Sequence, residues 1–300
     1  MRELGVLGPL FVRVNGQSSA PSAPKSRNVL AMLMVHSGQP VPVSALVRDL
    51  WDDHPPMSGA TTLQTYILNL RKLFASATGL PTADIARDVL VTRPGGYLLT
   101  AAAGELDVHR YRSLARRGRE ALARGDDSGA ARDLQDALSL WRGPALVDVP
   151  AGRVLESRCR ELEESRLVTL EHLVDAELRL GRHREVLAEL AALTAGNPLH
   201  EGLHGQYMRA LYLGGRRAQA LEVFQRLRRA LRAELGLPPG PGLRRLHRAV
   251  LTADGELDGD LDERAWRDAR LLHAPAVRLS PAAAARSHPD GVCPSRRSRR

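Results

Sequence analysis

Leu4 to Val14 reads as extended chain, interrupted once by Gly8-Pro9, and Asn15-Gly16 then gives a strong short hairpin signal. After a polar Ser/Ala/Pro stretch to Pro24 the period changes. Val29, Leu30, Leu33 and Met34 fall at helical spacing, with Gly38 as a stop. A second short helix is predicted from Val43 to Trp51, with Leu46, Val47 and Leu50 inward. Asp52 to Pro56 makes a turn, and a third helix runs from Ser58 to Ala75. On that helix Leu63, Tyr66, Ile67, Leu70 and Phe74 share one face. Thr61, Gln64, Thr65, Leu68, Asn69 and Lys72 gather on the opposite one. Two strands follow, Val89–Thr92 and Tyr97–Leu99, joined by the turn-rich Arg93-Pro94-Gly95-Gly96. Strands, three helices and a hairpin, in that order, predict a winged helix.

From Asp107 onward the strand signals vanish. Helical periods are predicted at 107–124, 127–141, 153–180, 183–195, 199–213, 216–235 and 241–251. Gly181, Leu187 and Leu190 recur as Gly215, Leu221 and Phe224, each 34 residues on. That is the tetratricopeptide period, two antiparallel helices per unit. An earlier copy, Gly125 with Ala131 and Leu134, lies 56 residues before Gly181, Leu187 and Leu190. The difference is an insertion, expected around Trp141-Arg142-Gly143-Pro144. The expected fold class is therefore α+β, a winged-helix domain over 1–103, followed by an all-α tetratricopeptide-like helical-repeat domain over 104–252. Each is expected to carry its own core, so that a fragment of residues 1–105 folds alone. Residues 253–300, acidic and then Ala/Pro/Arg-rich, are expected to be a disordered tail.

Charge alters this picture little. The net charge is +9, with +3 in residues 1–100 and +4 in residues 281–300, so it permits nucleic-acid binding without arguing for it. Only two lysines occur, Lys25 and Lys72, and neither follows a Gly-rich loop, which excludes a P-loop nucleotide site. No apolar run approaches the ~20 residues of a membrane span, and the N-terminus has no signal-peptide layout. Cytoplasmic location is expected, and the two cysteines, Cys159 and Cys293, are expected to be free thiols.

In a winged helix the third helix enters the major groove of double-stranded DNA. Thr61, Gln64, Thr65 and Asn69 are the candidates for base edges, because amides and hydroxyls both donate and accept. Thr62, Arg71 and Lys72 flank them at phosphate positions, and the Tyr66 hydroxyl could reach a phosphate. Leu68 faces outward, where a thymine methyl would receive it. Arg93, at the hairpin, is the candidate for the minor groove. The competing explanation for the helix is an ordinary solvated polar face, and for Arg93 an exposed turn arginine. A second alternative makes the chain a protein-binding scaffold in which the first domain is only structural.

His200-Glu201-Gly202-Leu203-His204 matches the H-E-x-x-H spacing of zinc hydrolases, in which both histidines ligate the metal and the glutamate is the base. The match opens a repeat helix after Asn197-Pro198, both histidines lie at the edge of its apolar face, and no third-ligand continuation follows. No enzyme, metal or cofactor is expected.

Several strings in this order resemble the Streptomyces antibiotic regulatory protein family. They are Leu7-Gly8-Pro9-Leu10, Leu50-Trp51, Thr61 to Leu73, Thr92 to Leu99, Asp107 to Tyr111, Ala137 to Leu146, Leu180 to His183 and Glu234 to Pro241. The resemblance covers about residues 1–251. It implies an OmpR-type winged helix joined to a bacterial transcriptional activation domain. It further implies activation of an antibiotic or similar biosynthetic gene cluster, binding as a tandem dimer to direct-repeat promoter sites, and recruitment of RNA polymerase holoenzyme.

Overall fold

The computed structural model describes residues 2–102 and 104–252; the expected tail lies outside the described residues. The chain opens with an antiparallel meander of β1 (Arg2–Gly5), β2 (Phe11–Val14) and β3 (Gln17–Ser18). Asn15 and Gly16 form the β2–β3 turn at φ 49° and 83°, the left-handed pair that Asn-Gly accommodates. Then come α1 (Pro24–Val35), β4 (Val41–Pro42), α2 (Val43–Trp51) and α3 (Gly59–Thr78). A second sheet has the order β4-β6-β5, with β5 (Leu90–Arg93) and β6 (Gly96–Leu99) forming the hairpin. A Cβ on Gly96 would sit 2.3 Å from the Val41 carbonyl oxygen, so the bare backbone of this glycine lets β6 close on β4. Between α3 and β5 the chain makes a short α4 (Thr82–Asp84) that widens into a π turn over Ile85–Val89. Neither β4 nor this turn is long enough to show a period.

The rest is helical: α5 (Asp107–Ala123), α6 (Asp127–Ser139), α7 (Arg153–Arg179), α8 (Leu187–Gly196), α9 (Glu201–Leu213), α10 (Arg217–Leu235) and α11 (Pro241–Thr252). The repeat glycines end α5, α7 and α9 in the same way. Gly125, Gly181 and Gly215 have φ of 79°, 76° and 74°. Beside them Asp126, Arg182 and Arg216 donate their N–H back to the carbonyls of Ala121, Glu177 and Leu211 at 3.0, 2.9 and 2.8 Å. This is the helix-ending pattern in which a left-handed residue lets the next N–H reach back five positions. The 34-residue period is therefore a hairpin period, α5–α6, α7–α8 and α9–α10.

The insertion after the first hairpin is the loop between α6 and α7 plus the length of α7, which runs for 27 residues. The loop is spent on the N-terminal half. Arg142 N–H donates to the Leu7 carbonyl (2.9 Å), and its guanidinium reaches the Pro9 carbonyl (2.9 Å) and Asp107 (3.0 Å). The same guanidinium covers the Phe11 ring at 4.3 Å. Leu146, buried at φ 51°, donates to the carbonyls of Val6 and Gly8. Asp148 accepts from Leu10 N–H at 2.8 Å and pairs with Arg27.

Two buried carboxylates cross in opposite directions. Asp49 of α2 accepts from the N–H groups of Gly152, Val154 and Leu155, and from the Asn28 amide. It thus caps α7 from the other half of the molecule, since Gly152 has no side chain to do so. Asp107, at the start of α5, accepts from the N–H groups of Val6 and Leu7. Leu4 meanwhile bridges to Leu106 in parallel.

One buried cluster crosses between the two halves, and two smaller clusters, around Leu134 and Leu173 and around Val174 and Leu190, lie wholly among the later helices. Leu4, Val12, Leu33, Leu46, Ile67 and Leu99 belong to the same buried cluster as Leu106, Tyr111, Trp141, Leu146 and Leu155. Residues 1–251 form one compact unit. The expectation that the winged-helix half carries a core of its own is therefore corrected: packing continues across the change of pattern near residue 103, while the later helices keep clusters of their own. Tyr111 shows how far the continuity reaches. It is fully buried, meets Trp141 edge-on at 5.5 Å and hydrogen-bonds Ser165 and Thr169 of α7.

Candidate nucleic-acid interface

Helix α3 buries Leu63, Ile67, Leu70 and Phe74, each at most 1% exposed, against α1, α2 and the π turn. The opposite side is set by helical geometry. Thr61, Gln64, Thr65, Leu68, Asn69 and Lys72 are all exposed. Leu68 keeps 45% of its surface, a sizeable apolar exposure in the middle of a polar stripe. Thr62 and Tyr66 are half-buried on one flank, with Tyr66 packed on the core. Thr65 turns its hydroxyl back to the Thr61 carbonyl at 3.2 Å, a local bond that a base edge could replace.

Arg71 is placed differently from its expected phosphate position. Its guanidinium is held by the Leu90 carbonyl at 3.0 and 2.8 Å and by the Thr92 hydroxyl at 2.8 Å. It fastens the β5 strand to α3 and so fixes the wing against the helix. Arg93 lies at the end of β5, exposed, beside the two-residue turn Pro94-Gly95, whose glycine has φ 76°. The structure thus brings the α3 stripe and the hairpin tip onto one assembly, with Arg71 as the tie between them.

Sequence reasoning missed Lys25. Its ammonium sits 4.8 Å from the Trp51 ring, and Trp51 borders the first turn of α3, 3.7 Å from where a Gly59 Cβ would be. A cation–π contact thus places a positive charge beside the start of α3. No periodicity could have revealed it, because Lys25 and Trp51 come from different helices. Met57, fully exposed in the turn before α3, was likewise unremarkable in sequence.

The H-E-x-x-H side chains are engaged in holding helices. His200 Nδ1 accepts from Leu203 N–H at 3.3 Å and caps α9. Glu201 accepts the Gly240 N–H at 2.7 Å, at the entry to α11. His204 is buried and donates to the His200 carbonyl at 3.0 Å; burial holds its pKa below the ordinary value. Among the described residues no three His, Cys, Asp or Glu side chains are grouped to hold a metal. Cys159 is half-buried, and burial followed by the charge of Glu163 pushes its thiol up to about 11, far from a reactive thiolate. Among the described residues no helix is long and apolar enough to cross a membrane.

Comparison with known proteins agrees with this anatomy. Residues 17–99 match the family described as "Transcriptional regulatory protein, C terminal", and residues 106–251 match "Bacterial transcriptional activator domain". The chain is 46% identical to the regulatory protein DnrI of Streptomyces peucetius over 85% of its own length and 94% of the relative's. It is 37% identical to the regulatory protein AfsR of Streptomyces coelicolor over 91% of its length, but spans only 27% of that protein. The solved structure of Mycobacterium tuberculosis EmbR in complex with a low affinity phosphopeptide superposes with a TM-score of 0.81 at 34% identity. That match covers 91% of this chain and 71% of that one. Against the full-length EmbR sequence the chain spans 63%.

Proposed function

The chain belongs to the Streptomyces antibiotic regulatory protein family, and on that premise we propose that this transcriptional regulator is a cytoplasmic, sequence-specific activator that reads double-stranded DNA with α3 and the β5–β6 wing. The observation that carries the proposal is the division of α3 into a buried apolar side and an exposed side of Thr61, Gln64, Thr65, Leu68, Asn69 and Lys72. An aliphatic side chain at the centre of such a stripe is costly in water and favourable against a thymine methyl. Gln64 and Asn69 stand on either side of it, where an amide can pair with an adenine edge. Lys72, Lys25 and the N–H groups of the first turn of α3 would meet phosphates. Arg93 would enter the adjacent minor groove. Arg71, bonded to the Leu90 carbonyl and the Thr92 hydroxyl, holds the wing against the helix so that both could be presented together.

On this proposal the helical half contacts RNA polymerase holoenzyme, and two copies bind head-to-tail on a direct repeat upstream of a secondary-metabolite gene cluster. A head-to-tail pair uses two different surfaces, so its footprint repeats without inversion. Footprinting of the full chain on the promoters of neighbouring biosynthetic genes tests this. Two protected half-sites in the same orientation, about one helical turn apart or a multiple, are expected. A palindromic footprint, or protection equal on unrelated duplexes, would refute it.

A further inference from the structure

The arginines of this protein are not distributed alike. From β1 to the end of α7, many pair with carboxylates: Arg2 with Glu105, Arg27 with Asp148, Arg117 with Asp133, Arg142 with Asp107, Arg153 with Asp52, Arg179 with Asp127. The last two helices differ. Residues 216–252 hold nine arginines against two glutamates, Glu222 and Glu234, a net of +7 in a chain whose total is +9. All nine are exposed. Among the described residues, Arg226, Arg228, Arg229, Arg232 and Arg244 have no carboxylate within ion-pair distance.

The packing of α10 on α11 gathers part of this charge. His247 stacks on Phe224 with ring centroids 3.8 Å apart, and Arg217 donates to the Leu251 carbonyl. Pairing 217 with 251 and 224 with 247 is an antiparallel register, and it brings 228 level with 244. The field of Arg228 acts on His247 accordingly. On α10 the buried residues are Ala220, Val223, Phe224, Leu227 and Leu231; Arg217, Arg228 and Arg232 flank them on the side of the stack. On α11 the buried residues are Leu243, Leu246 and Val250; Arg244 lies to the side of them next to His247, and Arg248 points away from them. Glu222 and Glu234 fall on other parts of α10. Arg228 with Arg232, and Arg244 with Arg248, are like-charge neighbours one turn apart, an arrangement that works against each helix.

We propose that the α10–α11 seam is a second DNA-contacting surface, on which Arg228, Arg232 and Arg244 bind backbone phosphates outside the groove read by α3. The proposal rests on the reading of the chain as a duplex-binding protein. Guanidinium forks match phosphate oxygens in pairs, and counterion release rewards each such contact. The contact carries no base information, because it is made to phosphates and not to base edges. The 27-residue α7 spans about 40 Å between the winged-helix side and the later hairpins, so the phosphates concerned lie beyond the α3 half-site.

The test measures binding of the full chain at a series of salt concentrations on two duplexes of about 60 base pairs, a footprinted promoter and its scrambled counterpart. The triple variant Arg228→Ala/Arg232→Ala/Arg244→Ala is expected to bind both duplexes about tenfold more weakly. It should also flatten the slope of log affinity against log salt by about 1–3, while keeping the ratio between the duplexes. The triple lysine variant should restore most of the slope, which a merely structural role would not predict. Equal melting temperatures certify the fold of both. Unchanged affinity and slope on both duplexes would overturn the proposal, and a transcription defect in such a variant would assign the surface to an acidic protein partner. The reading of α3 fails separately: Gln64→Ala would then leave the ratio between duplexes unchanged while the seam variants still act.

Discussion

Gln64 and Asn69 project from α3 into solvent on either side of Leu68, and nothing in the fold requires either amide. Replacing either with Ala should leave stability within about 0.5 kcal/mol. It should weaken binding to the specific site by roughly 1–3 kcal/mol, with less effect on scrambled DNA, read in a gel-shift titration. Asp49 behaves in the opposite way. Its carboxylate is 5% exposed and satisfies three backbone N–H groups of the α7 entry plus Asn28. Asp49→Ala strands those donors and should cost about 3 kcal/mol or more, measured by urea unfolding, without any contact to DNA being lost. The α3 side chains were legible in the sequence because helical period alone decides which way they point. Asp49 was not. By period it sits beside Leu50 on an ordinary amphipathic helix, and its partners lie more than a hundred residues away. His204 falls between these cases. Its spacing from His200 was visible, but its use was decided by burial. Because its folded pKa is lowered, the unfolded chain takes up the proton first. The stability contributed by neutral His204 is therefore present above about pH 6.5 and lost as pH falls below that value. His204→Gln, which keeps a donor toward the His200 carbonyl, should reduce the fall in urea midpoint between pH 7.5 and 5.5; an identical fall would contradict this.

At the scale of elements, the wing depends on α3 through Arg71. Arg71→Ala should weaken DNA binding by about 1–3 kcal/mol and leave the salt slope unchanged, because the side chain acts by position. Arg93→Ala should weaken binding and reduce the slope by about 0.9 or less. Equal slopes in the two variants would show that both or neither reaches a phosphate. The order of elements was readable, since α2, α3 and the seven helices from α5 to α11 all follow clear periods and glycine stops. What escaped were β4, two residues long, and the π turn at Ile85–Val89, whose shape follows from the need to bury Ile85 and Val89 against α3. Helix α8 begins at Leu187, after a turn through His183 to Val186, where the repeat period alone places it earlier. Averaging hid the basic seam. Residues 101–280 net only +2 because the excess in α10 and α11 is balanced by acids on either side of it.

Over the whole molecule, the shared core predicts one unfolding event. Circular dichroism and tryptophan fluorescence should give coincident transitions for residues 1–252. A fragment of residues 1–105 would lose Asp107, Arg142, Leu146 and Tyr111 and uncover Leu4, Val6 and Leu7, so it should be unfolded or aggregated at room temperature. A sharp, dispersed amide spectrum from that fragment would contradict it. The winged-helix and repeat architectures were legible as sequence patterns, but their fusion was not, because the contacts that join them are single residues, some in the α6–α7 loop and some on helices, whose partners no period reveals. The loop between α6 and α7 has a bearing on how such regulators can be recombined. A DNA-reading head exchanged between relatives by cutting near residue 103 would arrive with its own Asp49 and Gly8, facing a foreign partner for each. The heritable cassette is discontinuous. Whoever swaps heads must carry the segment from Trp141 to Leu155 along with residues 1–107, or match both sets of contacts, for the chimera to keep its joint.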